Sequence, residues 1–268
     1  MALTKTEIPY LTRVFGAARG CSMGCAYCST ARWSHRLACP KCRTREVHFH
    51  EERLGDPAAA RKPQVIGVSF YDELWDPLRP KTDVYRVLKA CLDAPQHEYV
   101  FLTKRPERVT EGMVNLFAAR ENWWLGVTVD GPDADNVCRL ERLRPAMAAG
   151  VRTWVSMEPW CMAKAGSLVL EALARVACFV AVGCRSGMDT DPKYDECWHA
   201  GVAEIVSWCA RGGIPIYIKQ AWVNGRCSRD PAEWPEGLRV QELPEAWERI
   251  VRSGECGVGS ERDTHEAE

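Results

Sequence analysis

The chain has 268 residues, 46% hydrophobic and 26% charged, a composition typical of globular proteins and long enough for one large α/β domain. A net charge of −1 gives no chain-wide field to draw nucleic acid or anionic membrane, so any such contact must be local. No apolar run approaches the roughly 20 residues of a membrane span, and no secretory leader opens the sequence, so a cytoplasmic protein without membrane partners is expected.

In chain order, the first predicted strand covers 13–17 and runs into a loop at 20–30, GCSMGCAYCST. The segment 32–56 breaks the pattern that follows and reads as an insertion. Predicted strands then recur at 64–70, 99–103, 123–129, 152–157, 179–183 and 215–219. Amphipathic stretches at 82–93, 106–119, 134–148, 168–176 and 195–211 separate them. Most of the strands are near-continuous apolar runs, as expected when both faces of a parallel sheet are covered. The spacing matches a βα unit, so the fold class is α/β with a parallel sheet. One domain spans 1–252, and the polar, glycine-rich tail 253–268 is expected to be disordered.

No G-x-G-x-x-G follows an early strand, so a dinucleotide-binding sheet lacks support. Polar residues gather instead at strand C-terminal ends: Ser69, Thr103 with Lys104, Thr128, Ser156 with Glu158, and Lys219 with Gln220. Ends of several strands converging on one site is the arrangement of barrel enzymes.

Fourteen cysteines in a reducing compartment are expected as metal ligands, redox groups or small hydrophobes, not disulfides. Cys91, Cys138, Cys178 and Cys209 lie in apolar or helical stretches and read as buried hydrophobes. Cys21, Cys25 and Cys28 form C-x3-C-x2-C, with Tyr27 before the last. Iron–sulfur cubanes usually take four cysteines, so three on one loop leave one iron open for chemistry. Cys39 and Cys42 form a C-x2-C knuckle followed by His48 and His50, which an extended chain would point to one face. These four suit a tetrahedral zinc. The alternatives are zinc shared with Cys184, Cys197 or Cys227, an auxiliary iron–sulfur cluster, free thiols, or a single structural zinc using the five cysteines from Cys21 to Cys42.

The three-cysteine spacing with its aromatic resembles the signature of the radical S-adenosylmethionine (SAM) enzymes. Beyond the cysteines, HFHEERL (48–54), FLTKRPERV (101–109), WLGVTV (124–129), VSMEP (155–159) and IYIKQAW (216–222) resemble a radical-SAM-like, three-Cys-motif family carried by phages and prophages. The resemblance implies a partial (β/α)6-type barrel with a Cys/His-rich insertion after the cluster loop. It implies a [4Fe-4S] cluster on Cys21, Cys25 and Cys28 that cleaves SAM to a 5′-deoxyadenosyl radical, fed by an external donor of flavodoxin or ferredoxin type. By the same resemblance, Ser69 to Asp72 would face the methionine amine and Lys104 or Arg105 its carboxylate. Glu158 would take the ribose hydroxyls and Tyr27 the adenine, with Thr103 and Thr128 beside them. Lys219 would contact substrate or move a proton. The chain departs from the family pattern at Gly183-Cys184-Arg185-Ser186-Gly187, where Cys184 is a candidate ligand or hydrogen-atom donor.

The expected reaction is an isomerase- or lyase-type step on a nucleobase or nucleobase adduct in phage DNA, within the bacterial host. Arg13 to Arg19 and the Lys104-Arg105-Arg108 cluster are candidate phosphate contacts on a nucleoside, nucleotide or DNA substrate. Photoproduct-type repair, modification of a peptide or metabolite, and a non-enzymatic zinc-binding protein are the alternatives.

Overall fold

The computed structural model describes residues 2–160, 164, 166–185 and 193–253. The strands are β1 (Arg13–Phe15), β2 (Ala18–Arg19), β3 (His48–Phe49), β4 (Val65–Val68), β5 (Glu98–Thr103), β6 (Trp123–Thr128), β7 (Arg152–Met157), β8 (Val180–Gly183), β9 (Ile216–Val223) and β10 (Arg226–Ser228). The helices are α1 (Ser29–Trp33), α2 (Pro40–Thr44), α3 (Asp56–Ala59), α4 (Lys81–Leu92), α5 (Glu111–Ala118), α6 (Ala134–Glu141), α7 (Arg144–Ala148), α8 (Ser167–Ala174), α9 (Lys193–Gly212) and α10 (Glu245–Arg252).

The main sheet has the order β1-β4-β5-β6-β7-β8-β9-β10. Every pair is parallel except β9–β10, a hairpin turned by Asn224 and Gly225, both at positive φ. The α/β class with a mostly parallel sheet is therefore as expected. The order never reverses, so right-handed crossovers advance in one direction and lay their helices on one face. The packing agrees. Val84, Val87 and Leu88 of α4, Phe117 of α5, Leu140 of α6, Leu173 of α8 and Ile205 of α9 share a core with the outward strand residues Ile66, Phe101, Leu125, Val155 and Val182.

The inward residues one step away along each strand belong to a second core: Val14, Val65, Val100, Trp124, Trp154, Phe179 and Tyr217. Among the described residues, none of α4 to α9 contributes to it. Tyr10, from the segment before β1, and Trp247, from α10, fill it instead. Trp247 meets Trp124 and Phe179 edge-on, with centroids 4.9 and 5.1 Å away. Trp154 stacks on Phe70 and donates from Nε1 to the Phe101 carbonyl at 2.9 Å. Space for these rings comes from glycine, since a Cβ on Gly126 would lie 2.3 Å from Trp154 Nε1.

Several boundaries differ from the sequence expectation. The first strand ends at Phe15, and Ala18–Arg19 pairs antiparallel with His48–Phe49 in a separate two-stranded ribbon. The helix expected over 134–148 is two, α6 and α7, because Pro145 opens the second and lacks the N–H to continue the first. The 106–119 stretch begins as a single 3-10 turn, Pro106–Arg108, before α5. β9 runs four residues past the expected end, so Lys219 is mid-strand. Strand β10 and helix α10 were not anticipated. Cys91 and Cys209 are buried as expected, Cys178 is partly exposed, and Cys138 is exposed. The expected disorder of the tail concerns residues that, from 254 on, lie outside those described. Among the described residues no helix is long and apolar enough to cross a membrane.

Candidate functional site

The period-2 alternation that sends Val100, Trp124, Trp154 and Tyr217 into the inner core sends Leu102, Thr128, Ser156, Glu158 and Lys219 to the same side nearer the strand C-termini. There they line a cavity of about 930 Å³. The loop after β2 closes one side and brings Cys21, Cys25 and Cys28 to the same cavity. Its floor is the aromatic layer that includes Tyr10 and Phe70.

The cysteine loop is held by its backbone. Gly20 N–H donates to Asp72 Oδ1 at 2.8 Å, Cys21 N–H to the Arg45 carbonyl at 3.2 Å, and Ser22 N–H to Asp76 Oδ2 at 2.6 Å. Asp72 also pairs with Arg19 at 3.0 Å. Arg79 lies buried behind the loop and donates to the carbonyls of His48, Arg19 and Gly20 at 3.0, 2.9 and 3.2 Å. Burial pushes the Cys21 thiol up to about 11, so metal binding there releases a proton.

Asp130, just past β6, organises the opposite wall. Its carboxylate accepts from the Tyr27 hydroxyl, pairs with Lys104 Nζ at 2.7 Å and with Arg139 Nη1 at 3.1 Å. Burial acts to raise the Asp130 pKa, but Lys104, Tyr27 and Arg139 outweigh it and hold the carboxyl well below its usual range. Burial and the same carboxylate push the Tyr27 phenol far up, so it stays neutral. Glu73 is buried at the cavity edge, and burial raises its pKa although it accepts from Thr103 Oγ1 at 2.7 Å and Lys104 N–H at 3.0 Å.

Glu158, just past β7, pairs through Oε2 with Lys219 Nζ of β9 at 2.9 Å and accepts from Tyr10 at 3.5 Å. Glu158 Oε1 is buried with no partner among the described residues, an acceptor that a ligand hydroxyl could satisfy. Cys184, at the end of β8, also lines the cavity, its Sγ 2.7 Å from that of Cys227 on β10. Burial, reinforced by Cys227, holds the Cys184 thiol far above its usual pKa and therefore protonated.

Of the residues singled out from sequence, Cys21, Cys25, Cys28, Tyr27, Asp72, Thr103, Lys104, Thr128, Glu158, Cys184 and Lys219 all line this cavity. Ser69 does not. It is buried in a turn at φ +55, with its backbone tied to Phe15. Two charged residues in the lining also have partners within the chain: Asp72 pairs with Arg19 and accepts from the Gly20 amide, and Lys104 pairs with Asp130. Two of the expected phosphate contacts have partners within the chain. Arg19 is tied to Asp72, and Arg105 donates to Met23 Sδ at 3.0 Å and lies 3.6 Å from Glu107. Besides Lys104 and Lys219, the cations lining the cavity are Lys5, Arg32, Arg45, Arg185 and Arg229.

Cys39, Cys42, His48 and His50 lie outside the cavity and converge on one another, their donor atoms all within 4.8 Å, a group that could hold a metal ion. Cys184 Sγ meets Cys227 Sγ, Cys21, Cys25 and Cys28 face the cavity, and among the described residues no group of close donors joins Cys39 and Cys42 to any of these or to Cys197. Sequence reasoning missed Asp76, Arg79, Asp130 and Glu73. Charged residues packed into the apolar stretch FYDELWDPLR were the available signal for three of them, because a buried charge needs a specific partner.

Fold and site together define an α/β protein with a cysteine-lined cavity at the carboxyl ends of its parallel strands. Residues 5–256 match the family described as protein of unknown function, DUF5131, and the chain belongs to that family. No curated relative matches the sequence. A solved structure described as native anSMEcpe with bound AdoMet and Kp18Cys peptide is similar with a TM-score of 0.47 at 12% identity, over 77% of this chain and 62% of that one. The chain thus spans less than two thirds of that neighbour.

Proposed function

We propose that this protein is a radical SAM enzyme acting on a nucleobase or nucleobase adduct. The observation that carries the reading is the convergence of three thiols from one loop on a cavity that is also lined by Glu158, Thr128, Tyr27 and Lys104, the last two held by Asp130. The donor set fits the cofactors. Cys21, Cys25 and Cys28 would hold a [4Fe-4S] cluster with one iron left for SAM, and the cavity is within the usual size range of small-molecule sites. Such a cluster supplies the electron that cleaves SAM to a 5′-deoxyadenosyl radical.

The chain's own residues bind, orient and exclude water. Glu158 offers its free oxygen to ribose hydroxyls and is oriented by Lys219. Tyr27 presents a neutral ring fixed by Asp130. The aromatic layer beneath keeps the cavity floor dry. Cys184 keeps its proton and so suits hydrogen-atom donation. Arginines lining the cavity together with Trp33 and Tyr71 offer cations for phosphate and rings for stacking, which favours a nucleotide-type substrate. An isomerase or lyase step, with electrons from a flavodoxin or ferredoxin-type donor, completes the reading.

Anaerobic reconstitution with iron and sulfide, dithionite reduction and assay for 5′-deoxyadenosine tests it. The expected result is a brown protein absorbing near about 400 nm that cleaves SAM. Replacing Cys21, Cys25 and Cys28 together with alanine should abolish colour and cleavage while the circular dichroism is retained. A colourless wild-type protein without cleavage overturns the proposal.

A further inference from the structure

The insertion between α1 and α3 has little to hold it together. Between residues 29 and 54 only Thr30, Ser34 and Cys42 are buried, and its helices and strand are two to five residues long. A segment without a core needs a staple. Cys39 Sγ lies 3.6 Å from His48 Nε2. Cys42 Sγ lies 3.4 Å from both His48 Nε2 and His50 Nε2, and the two Nε2 atoms are 3.1 Å apart. A tetrahedral zinc with bonds of about 2.3 Å to sulfur and about 2.05 Å to nitrogen has S···N edges of about 3.6 Å and an N···N edge of about 3.3 Å. These four edges agree within a few tenths of an ångström, and the remaining donor pairs lie within 4.8 Å.

The outer contacts also suit a metal. His48 Nδ1 lies 2.6 Å from the Glu46 carbonyl, and His50 Nδ1 lies 2.6 Å from Glu52 Oε1. Each contact fixes the tautomer that leaves Nε2 free to ligate. Cysteine and histidine donors 3.4–3.6 Å apart surround one ion, whereas a [4Fe-4S] cluster spreads its ligands over four irons and a Cys2His2 [2Fe-2S] cluster puts its cysteines and histidines on different irons. Two thiolates and two imidazoles close the coordination sphere, which marks a structural site.

The staple reaches the cysteine loop directly. Cys42 sits on α2, and Arg45, the αL residue that caps α2, accepts from the Cys21 amide through its carbonyl. His48 pairs with Arg19 across the β2–β3 ribbon, and Arg79 ties the His48 carbonyl to that of Gly20. Gly20, at φ +87, is pressed so close that a Cβ there would lie 2.0 Å from the Glu46 carbonyl oxygen. We propose that Cys39, Cys42, His48 and His50 bind a structural zinc ion that fixes the position of the loop carrying Cys21, Cys25 and Cys28. The zinc site stands independently of the proposed radical reaction.

The test uses the full chain with Cys21, Cys25 and Cys28 replaced by alanine, which removes competing thiols. Elemental analysis should find about one zinc per chain, and the further pair Cys39→Ser and Cys42→Ser should lower it about tenfold or more. Should that variant fail to fold, Co²⁺ added to chelator-treated protein should give the visible absorption of a tetrahedral thiolate–imidazole site. Removing zinc should speed hydrogen exchange at the amides of residues 20–22 by about tenfold or more, with β6 unchanged. No zinc and no cobalt spectrum overturns the site. Zinc bound with exchange at 20–22 insensitive to its removal overturns the role in fixing the loop. A zinc-bound wild-type chain that forms no 5′-deoxyadenosine counts against the radical reaction and leaves this inference standing.

Discussion

Asp130 is the residue on which one wall of the cavity turns, because it holds Tyr27, Lys104 and Arg139 at once. Lys104 and Asp130 are only 13% and 20% exposed, so this pair is poorly screened. Asp130→Asn should lower stability at pH 7 by about 1–3 kcal/mol. The pH dependence has a definite sign. The folded pKa lies below the unfolded one, so the carboxylate's contribution is complete above about pH 4 and is lost as pH falls through the folded value. Urea midpoints of wild type and variant should therefore differ at neutral pH and converge in acid. A difference unchanged at pH 3 would mean that the ionised carboxylate is not its source. In the sequence Asp130 is one of several polar residues in a loop, 26 positions from Lys104 and 103 from Tyr27, and nothing local marks the partnership.

At the scale of elements, the strands announced themselves through apolar runs, and alternation then decided which side chains reach the cavity. β6 shows the cost of that alternation. Trp124 and Thr128 face inward with Gly126 between them, and Trp154 occupies the space a side chain would need. The indole is pinned by Phe70 and by its bond to Phe101, so it cannot retreat. Gly126→Ala should destabilise the chain by about 1–3 kcal/mol. Gly112→Ala on α5, where a methyl group meets nothing within 4 Å, should be neutral or stabilising by up to about 1 kcal/mol. Equal thermal shifts in the two variants would show that Trp154 yields more easily than its contacts suggest. The elements that escaped sequence reading have short or weak signals. β10 is three residues with polar neighbours, and α10 is an amphipathic stretch whose apolar face finds its partner only across the sheet.

For the whole molecule, a sheet whose crossover helices α4 to α9 pack on one side must cover its other face with something else. Trp247 from one end of the described chain and Tyr10 from the other do so, stacked with centroids 6.4 Å apart. Trp247→Ala should cost about 3–5 kcal/mol, read as a lower denaturation midpoint with altered tryptophan fluorescence. A shift under about 1 kcal/mol would mean that α10 contributes little to the inner core. The sequence by itself determined the βα rhythm, the parallel sheet, the thiol-bearing loop and the Cys/His knuckle, because periodicity and ligand spacing are local properties of the chain. Only the tertiary structure decided that Asp72 serves Arg19, that Lys104 serves Asp130, that Cys184 meets Cys227, and that the knuckle closes with its own two histidines. Several of those pairings join residues dozens of positions apart. A buried charge or thiol takes the nearest complementary group in space, and that group is set by how the strands are ordered and the loops folded over them.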